Sequence, residues 1–366
     1  MSPHGIFTIL IFMLTPLAGV SAAVPQPGEI KTFKDWAVGC DNGGICKAVS
    51  LIPDQSDSFD DWQGPITVVR TAETNETLKI RVLVEALDID RYRMKVDGQL
   101  VDTGPVVKGD YPIEIVGQDA EKVVQAIARG NNLQVVGPND ENLTQISLAG
   151  SSAALRFIDA KQKRAGTKTA LIAKGRLQFS ASTTSIPLIP VDQWDDADRV
   201  PDTAEIVELV ENSSCKDERF GVVEDQAYAM GARAGNYRAL VLISCGSGAY
   251  NFSSTAFIGE YQDGDKDEAR KWSFEPAKFD IPPAWGGDGR TPLLVNASWE
   301  GQDQILSSFA KGRGLGDCGN SESYVWDGSM FRMIEATSMT ECRGGYEWIT
   351  TWRAQYAKSE ETASSK

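Results

Sequence analysis

The sequence predicts a mainly β fold with a few short helices: a β-sandwich-like N-terminal domain followed by a disulfide-stabilised, β-rich C-terminal domain. Three observations point there. Short runs of β-branched and apolar residues recur, at 66–71, 78–84, 92–96 and 237–244. Glycine-bearing turn signals punctuate the chain, as in DNGG between Cys40 and Cys46 and at Trp326-Asp327-Gly328. Six cysteines fall in sequence as Cys40 and Cys46, Cys215 and Cys245, Cys318 and Cys342. A chain of 366 residues suggests two domains with ample core.

Residues 6–20 form a short apolar run ending in Ser21, Ala22 and Ala23. This reads as a signal peptide spanning 1–23, cut after Ala22 or Ala23, although its start carries no Lys or Arg. Val20 stands where a lipoprotein would carry its lipidated cysteine, so no lipid anchor is expected. No later apolar run is long enough to span a bilayer, so no membrane anchor should remain after cleavage. The six cysteines fit an oxidising compartment. Sequence leaves their connectivity open; nearest-neighbour pairing is expected because each pair brackets a hairpin or meander. There is no C-x-x-C and no partner histidine, so a metal or redox use of these thiols lacks its pattern.

The one histidine, His4, lies in the expected leader. A mature chain without histidine cannot build a Ser-His-Asp or Cys-His nucleophile, nor a histidine metal site. The net charge of −15 and pI near 4.7 argue against nucleic acid and anionic membrane surfaces. No cofactor is expected.

In chain order, the N-terminal domain (24–185) opens with strands and then a helix at 120–129, capped by Asp119 and stopped by Gly130. A second helix follows, capped by Ser151 or Ser152, with Ala154, Leu155 and Ile158 on its apolar face. Asp159 and Lys163 are expected to pair on its wet face. Lys161, Lys163 and Arg164 complement its C-terminal dipole, and Gly166 stops it. Residues 167–174 read as a strand. With Lys168, Lys174 and Arg176 these cations form either a basic patch or merely solvated helix-end charges. The stretch 186–201 holds Pro187, Pro190, Pro201 and an acidic run, and reads as an exposed, poorly packed linker. Asp202 and Glu205 form a capping box for a helix carrying Ile206, Leu209 and Val210. The C-terminal domain (202–357) is otherwise β, and 358–366 is a polar, disordered tail.

Few residues suggest chemistry. Asp263, Asp265 and Asp267 start a calcium-loop pattern, but Glu268 replaces its glycine and Phe274 its bidentate carboxylate. Two S-x-x-K matches, Ser213 to Lys216 and Ser308 to Lys311, lack the K-T-G box of the Ser-Lys enzymes. The run KGRGLGDCG (311–319) has glycines for a phosphate loop, but a cysteine and a strand follow where a helix is needed; a constrained turn beside a disulfide fits better. Carboxylate-pair hydrolysis needs a spacing in space that sequence does not give. The expected binding surface is Arg313, Asp317, Trp326 and Asp327, an aromatic beside charges, with Lys161 and Arg164 as further candidates. Five N-x-S/T matches, at Asn75, Asn142, Asn212, Asn251 and Asn296, are read as chance.

Asp159, Gln162, Arg164, Gly166, Thr167, Ala170 and Leu171 follow ISLAG and an alanine-rich helix. Together with WAVGCDNGGIC, CGSGAYN, KGRGLGDCG, VWDGSMF, ECRG and WITTWRA, they make the chain similar to a bacterial secreted family, domain of unknown function 1176. The N-terminal half also resembles the invasion-associated locus B proteins, periplasmic β-sandwiches. These resemblances imply location and fold, and no reaction. The resulting expectation is a periplasmic or secreted, non-enzymatic binding or envelope-associated module, its partner an envelope protein or glycan. The alternatives are a carboxylate-dependent hydrolase acting on an envelope glycan and a structural accessory protein.

Overall fold

The computed structural model describes residues 24–54, 64–73, 78–84, 91–104, 111–180, 186–217, 219–221, 224–262, 271–283 and 292–358. The expected leader, Asp263, Asp265, Asp267 and residues 359–366 lie outside them.

The first half runs β1 (Ile30–Phe33), β2 (Trp36–Cys40), β3 (Cys46–Ser50), β4 (Ile66–Arg70), β5 (Leu78–Val82), β6 (Arg93–Val96), β7 (Gln99–Val101), β8 (Ile113–Val116), α1 (Gly117–Ile127), β9 (Asn132–Val136), β10 (Asn142–Ser147) and α2 (Ser151–Lys161). An antiparallel six-stranded sheet, β1-β2-β3-β4-β5-β8, and a four-stranded sheet, β10-β9-β6-β7, enclose one core with the two helices. Alternation sets the faces. Trp36, Val38 and Ala48 point into this core, whereas Ala37 and Val49 point out of it. They are buried too, because the outer face docks on the second half. That is why β2 reads WAVG rather than alternating apolar and polar.

The second half runs β11 (Leu188–Val191), α3 (Thr203–Glu211), β12 (Gln226–Arg233), β13 (Asn236–Ser247), β14 (Phe252–Gln262), β15 (Ser273–Pro276), β16 (Leu294–Val295), β17 (Ser298–Glu300), β18 (Ile305–Lys311), β19 (Gly319–Trp326), β20 (Phe331–Met339), β21 (Ile349–Arg353) and β22 (Gln355–Lys358). One sheet is β12-β13-β14-β15, with β16 also paired to β14; the other is β17-β18-β19-β20-β21. Leu240, Leu242, Ala256 and Ile258 meet Leu306, Tyr324, Phe331 and Met333 between them. On the far face of the first of these sheets, Val241, Ile243 and Phe257 take Leu209 and Val210 of α3. The outer face of the second carries Met339, Ile349 and Cys318 against Ala37, Val49 and Leu51 of the first half. Three bridges, Cys40–Cys46, Cys215–Cys245 and Cys318–Cys342, join sequence neighbours.

Polar clamps reinforce that junction. Arg343 donates to Ile52 O (2.7 Å), Lys34 O (2.9 Å) and Asp35 Oδ1 (2.6 Å). Arg353 binds Asp41, and Asn42 exchanges hydrogen bonds with the Arg353 backbone, accepting at 2.7 Å and donating at 2.8 Å.

Several local expectations are overturned. Neither serine caps α2: Gly150 does so at φ 99°, where an added Cβ would fall 1.7 Å from Phe33 O, and Ser151 Oγ instead donates to Ile127 O. Asp159 does not face solvent or Lys163. It is fully buried, accepts from Leu171, Ile172 and Ala173 N–H, and pairs with Arg70 at 3.1 Å. Those three N–H groups therefore go to a carboxylate rather than a ladder, and 167–174 forms turns instead of a strand. Likewise, α1 starts at Gly117 with no side-chain cap, and Asp119 lies in its first turn. The capping box at Asp202 and Glu205 is formed as expected.

The stretch 186–201 is not loosely packed. β11 pairs in parallel with β22, and Ile189 and Val191 are buried. Asp192 then takes Arg233, Arg238 and the Trp194 indole N–H, at 2.9, 2.9 and 3.1 Å. Burial raises this carboxyl's pKa, and the two guanidiniums outweigh it, holding it below the usual carboxylate range. Of the acidic run that reads as solvated linker, Asp192 is an anchor because it has two arginine partners, whereas Asp195, Asp196 and Asp198 stay exposed.

Candidate functional site

The residues expected to form one surface are dispersed and mostly buried. Trp326 is only 6 % exposed and packs edge-on against Phe331 in the sheet interface. Asp327 is spent on its own turn, accepting from Ser329 and Met330 N–H and binding Arg332. Asp317 is fully buried, held bidentately by Arg313 and bonded to Gly344 N–H at 2.8 Å. The KGRGLGDCG loop is a constrained turn, closed by Gly312 N–H to Cys318 O at 2.8 Å. Arg164 is fully buried, donating to Glu73 O (2.8 Å) with its guanidinium 3.6 Å from the Phe179 ring centre. Lys161 stays exposed over Phe157, and Lys174 pairs with Glu121. No common basic or aromatic-charged surface results among the described residues, because Arg164 and the Trp326 indole are buried and Arg313 is tied to Asp317.

Neither S-x-x-K pair is a nucleophile. Ser213 Oγ donates to Val210 O, and its lysine, Lys216, is exposed with its pKa raised by Glu211. Ser308 is buried against Val295, and three residues along a strand puts Lys311 on the opposite face. Among the described residues no group of His, Cys, Asp or Glu is arranged to hold a metal.

A cleft of about 300 Å³ lies where the C-terminal sandwich opens. Its construction follows from two inward-facing rows. On β13 the row runs Leu240, Leu242, Ser244; on β14, read backwards, it runs Ile258, Ala256, Ser254, Phe252. Both rows are apolar in the core and turn to a cross-strand serine pair, Ser244 opposite Ser254, at the mouth. Past that pair, Phe252 stands at the lip with 46 % of its surface exposed. Glu224, Gln226 and Ala297 complete the lining with Ser253 and Asn296.

The lip is rigid. Phe252 N–H donates to Asn296 Oδ1 (3.1 Å), and Asn296 N–H donates to Phe252 O (2.7 Å). The Asn296 amide also donates to Phe309 O (2.8 Å) and Asn251 Oδ1 (3.2 Å), and its backbone takes the left-handed conformation at φ 44°. Asn251 in turn exchanges hydrogen bonds with the Lys311 backbone, donating at 2.9 Å and accepting at 3.1 Å. The runs CGSGAYN and KGRGLGDCG, far apart in sequence, thus meet to hold one aromatic at a cleft. Two of the N-x-S/T asparagines, Asn251 and Asn296, are the braces.

Glu224, the Gln226 amide N–H₂ and Ser254 Oγ carry no hydrogen bond to other described residues; Gln226 Oε1 accepts from Tyr228 O–H at 2.8 Å. Asp225, next in sequence, is turned away and clamped by Arg219 (2.9 Å). The signal that could have located this site was in the sequence. A strand whose inward row reads Phe-Ser-Ala-Ile puts a large aromatic beyond a hydroxyl, outside the core.

Fold and cleft define a disulfide-stapled, all-antiparallel double-sandwich protein, save for the parallel β11–β22 pair, with a small, neutral-to-acidic cleft at one end. The chain belongs to the family described as protein of unknown function DUF1176, whose model matches residues 30–355. It is 27 % identical over 372 residues to the uncharacterized protein YpfG of Escherichia coli strain K12, covering 95 % of this chain and 99 % of that protein. No solved structure matches.

Proposed function

We propose that this protein is a periplasmic or secreted binding module that recognises an envelope component in the cleft lipped by Phe252. The observation that carries the reading is the lip itself: an exposed aromatic, held at both backbone groups, above polar groups that the protein leaves unused. An exposed aromatic beside unused polar groups is a common recognition surface. The extracytoplasmic location is supported by the three disulfides and by the leader-like residues 1–23. No helix among the described residues is long and apolar enough to cross a membrane. A division into domains 24–185 and 202–357 belongs to the same reading, since each half encloses a core of its own.

The test is retention of envelope-extract components by the disulfide-intact protein and by Phe252→Ala. The wild type should retain a component, protein or glycan, that the variant loses. Equal retention by both would overturn the reading. Osmotic-shock release with a new N-terminus at Ala23 or Val24 checks the location.

One observation favours the hydrolase as a second reading. Asp280 and Asp327 are shifted in opposite directions, and the Asp327 charge contributes to the rise of Asp280. Burial raises Asp280; for Asp327, burial is outweighed by Arg332 and by the turn N–H groups, which hold it low. Both, however, already serve backbone N–H groups, Asp280 those of Ile281 and Met333. The described residues of the cleft lining include one carboxylate, Glu224, where glycoside hydrolysis needs two. Slow release of shortened glycan, abolished by Asp280→Asn, would promote this reading over the first.

A further inference from the structure

We infer that the cleft takes a neutral saccharide, stacked by its ring face on Phe252; this rests on the binding-module reading and names its ligand class. The argument starts from what the lining lacks. Among the described residues that line it there is no Lys or Arg, and the one charge they carry is the Glu224 carboxylate, on a protein of net charge −15. Against those described groups a phosphate, sulfate or uronate would meet a like charge and no counter-charge in the lining, which disfavours an anionic ligand.

The unused groups then select among uncharged and cationic ligands. Glu224 accepts only, the Gln226 amide N–H₂ donates only, and Ser254 Oγ does both. Neighbouring hydroxyls, each donor and acceptor, satisfy such a mixed set. An alkylammonium, which only donates, would answer Glu224 and leave the Gln226 amide unmet. The apolar complement is equally specific. Phe252 and Leu242 present one aromatic face and one aliphatic wall, matched to a pyranose ring with a C–H face and a polar edge. The Asn296 brace fixes the backbone that carries the ring, which lowers the ordering cost of binding. At about 300 Å³ the cleft is at the small end of ligand sites, and its open mouth lets a longer chain continue past the lip.

Saturation-transfer NMR with the purified, disulfide-intact protein tests this, using maltose, cellobiose and N,N′-diacetylchitobiose, with glucuronate and spermidine as charged probes. At least one neutral disaccharide should receive transfer. Phe252→Ala should weaken its binding about tenfold or more, Phe252→Trp should preserve it, and Gln226→Ala should weaken it. Glucuronate should give none. The half-exposed Phe252 makes misfolding of the alanine variant checkable by its melting temperature. No transfer from any neutral disaccharide, binding unchanged in Phe252→Ala, or displacement of the sugar by spermidine would each overturn the saccharide. If an envelope component is still retained through Phe252 while the sugars fail, the ligand class alone is wrong. If retention is also blind to Phe252, the binding module falls with it.

Discussion

Two phenylalanines on the facing sheets of the C-terminal half, Phe252 on β14 and Phe331 on β20, show how position decides what a side chain does. Phe331 is fully buried between the C-terminal sheets, and Phe252 stands at their mouth. Phe331→Ala should cost about 3–5 kcal/mol, as for a large buried aromatic. Phe252→Ala should cost about 1 kcal/mol or less, since much of its ring is already in water; chemical denaturation of the two variants measures the contrast. Asp159 lies at the other extreme, with three backbone N–H groups and Arg70 depending on it. Asp159→Ala should destabilise by about 3–5 kcal/mol, because it strands a buried guanidinium. Asp280 has the opposite sign. Burial raises its pKa, so the folded state favours the protonated acid, and ionisation near neutrality costs stability. Asp280→Asn keeps an oxygen for Ile281 and Met333 N–H. It should raise the melting temperature at pH 7, and the gain should vanish as the pH falls below the ordinary value of 3.8.

Elements were legible where their own residues decide them. The Asp202–Glu205 box, the β13 run and the turn at Trp326-Asp327-Gly328 are local, and they form as the sequence implies. Elements decided by a distant partner were not legible. Nothing near Leu171 announces that Asp159 will take its N–H, and nothing near Asp192 announces two arginines on β12 and β13. The same holds for the site. Trp326 beside Asp327 reads as a recognition pair only while the sheet that covers Trp326 is unseen. The ECRG run makes a testable case of distant partnership. Arg343 bonds three groups of the first half in a planar fork. Arg343→Ala should therefore cost about 2–3 kcal/mol by thermal unfolding, and Arg343→Lys should recover little of it, because an ammonium cannot reproduce that fork.

Seen whole, the molecule is a stack in which α3, three successive sheets and a fourth sheet with two helices share apolar faces. Acid should loosen it. Asp192, Asp317 and Asp327 each have a folded pKa below the ordinary 3.8, because hydrogen bonds from arginine and backbone outweigh burial. Their stabilisation is complete above that value and is lost as pH falls through the lower folded values, so a scan of melting temperature against pH should drop below about pH 4. Among the described residues the stack leaves one end of the C-terminal sandwich open, and everything proposed about function depends on what that opening does. The most direct measurement is retention of envelope components on immobilised wild-type protein beside Phe252→Ala. A component held by the wild type and lost by the variant, with stability lowered by no more than about 1 kcal/mol, is the predicted result. The same component held equally by both would contradict the account and leave the braced aromatic a feature of structure alone.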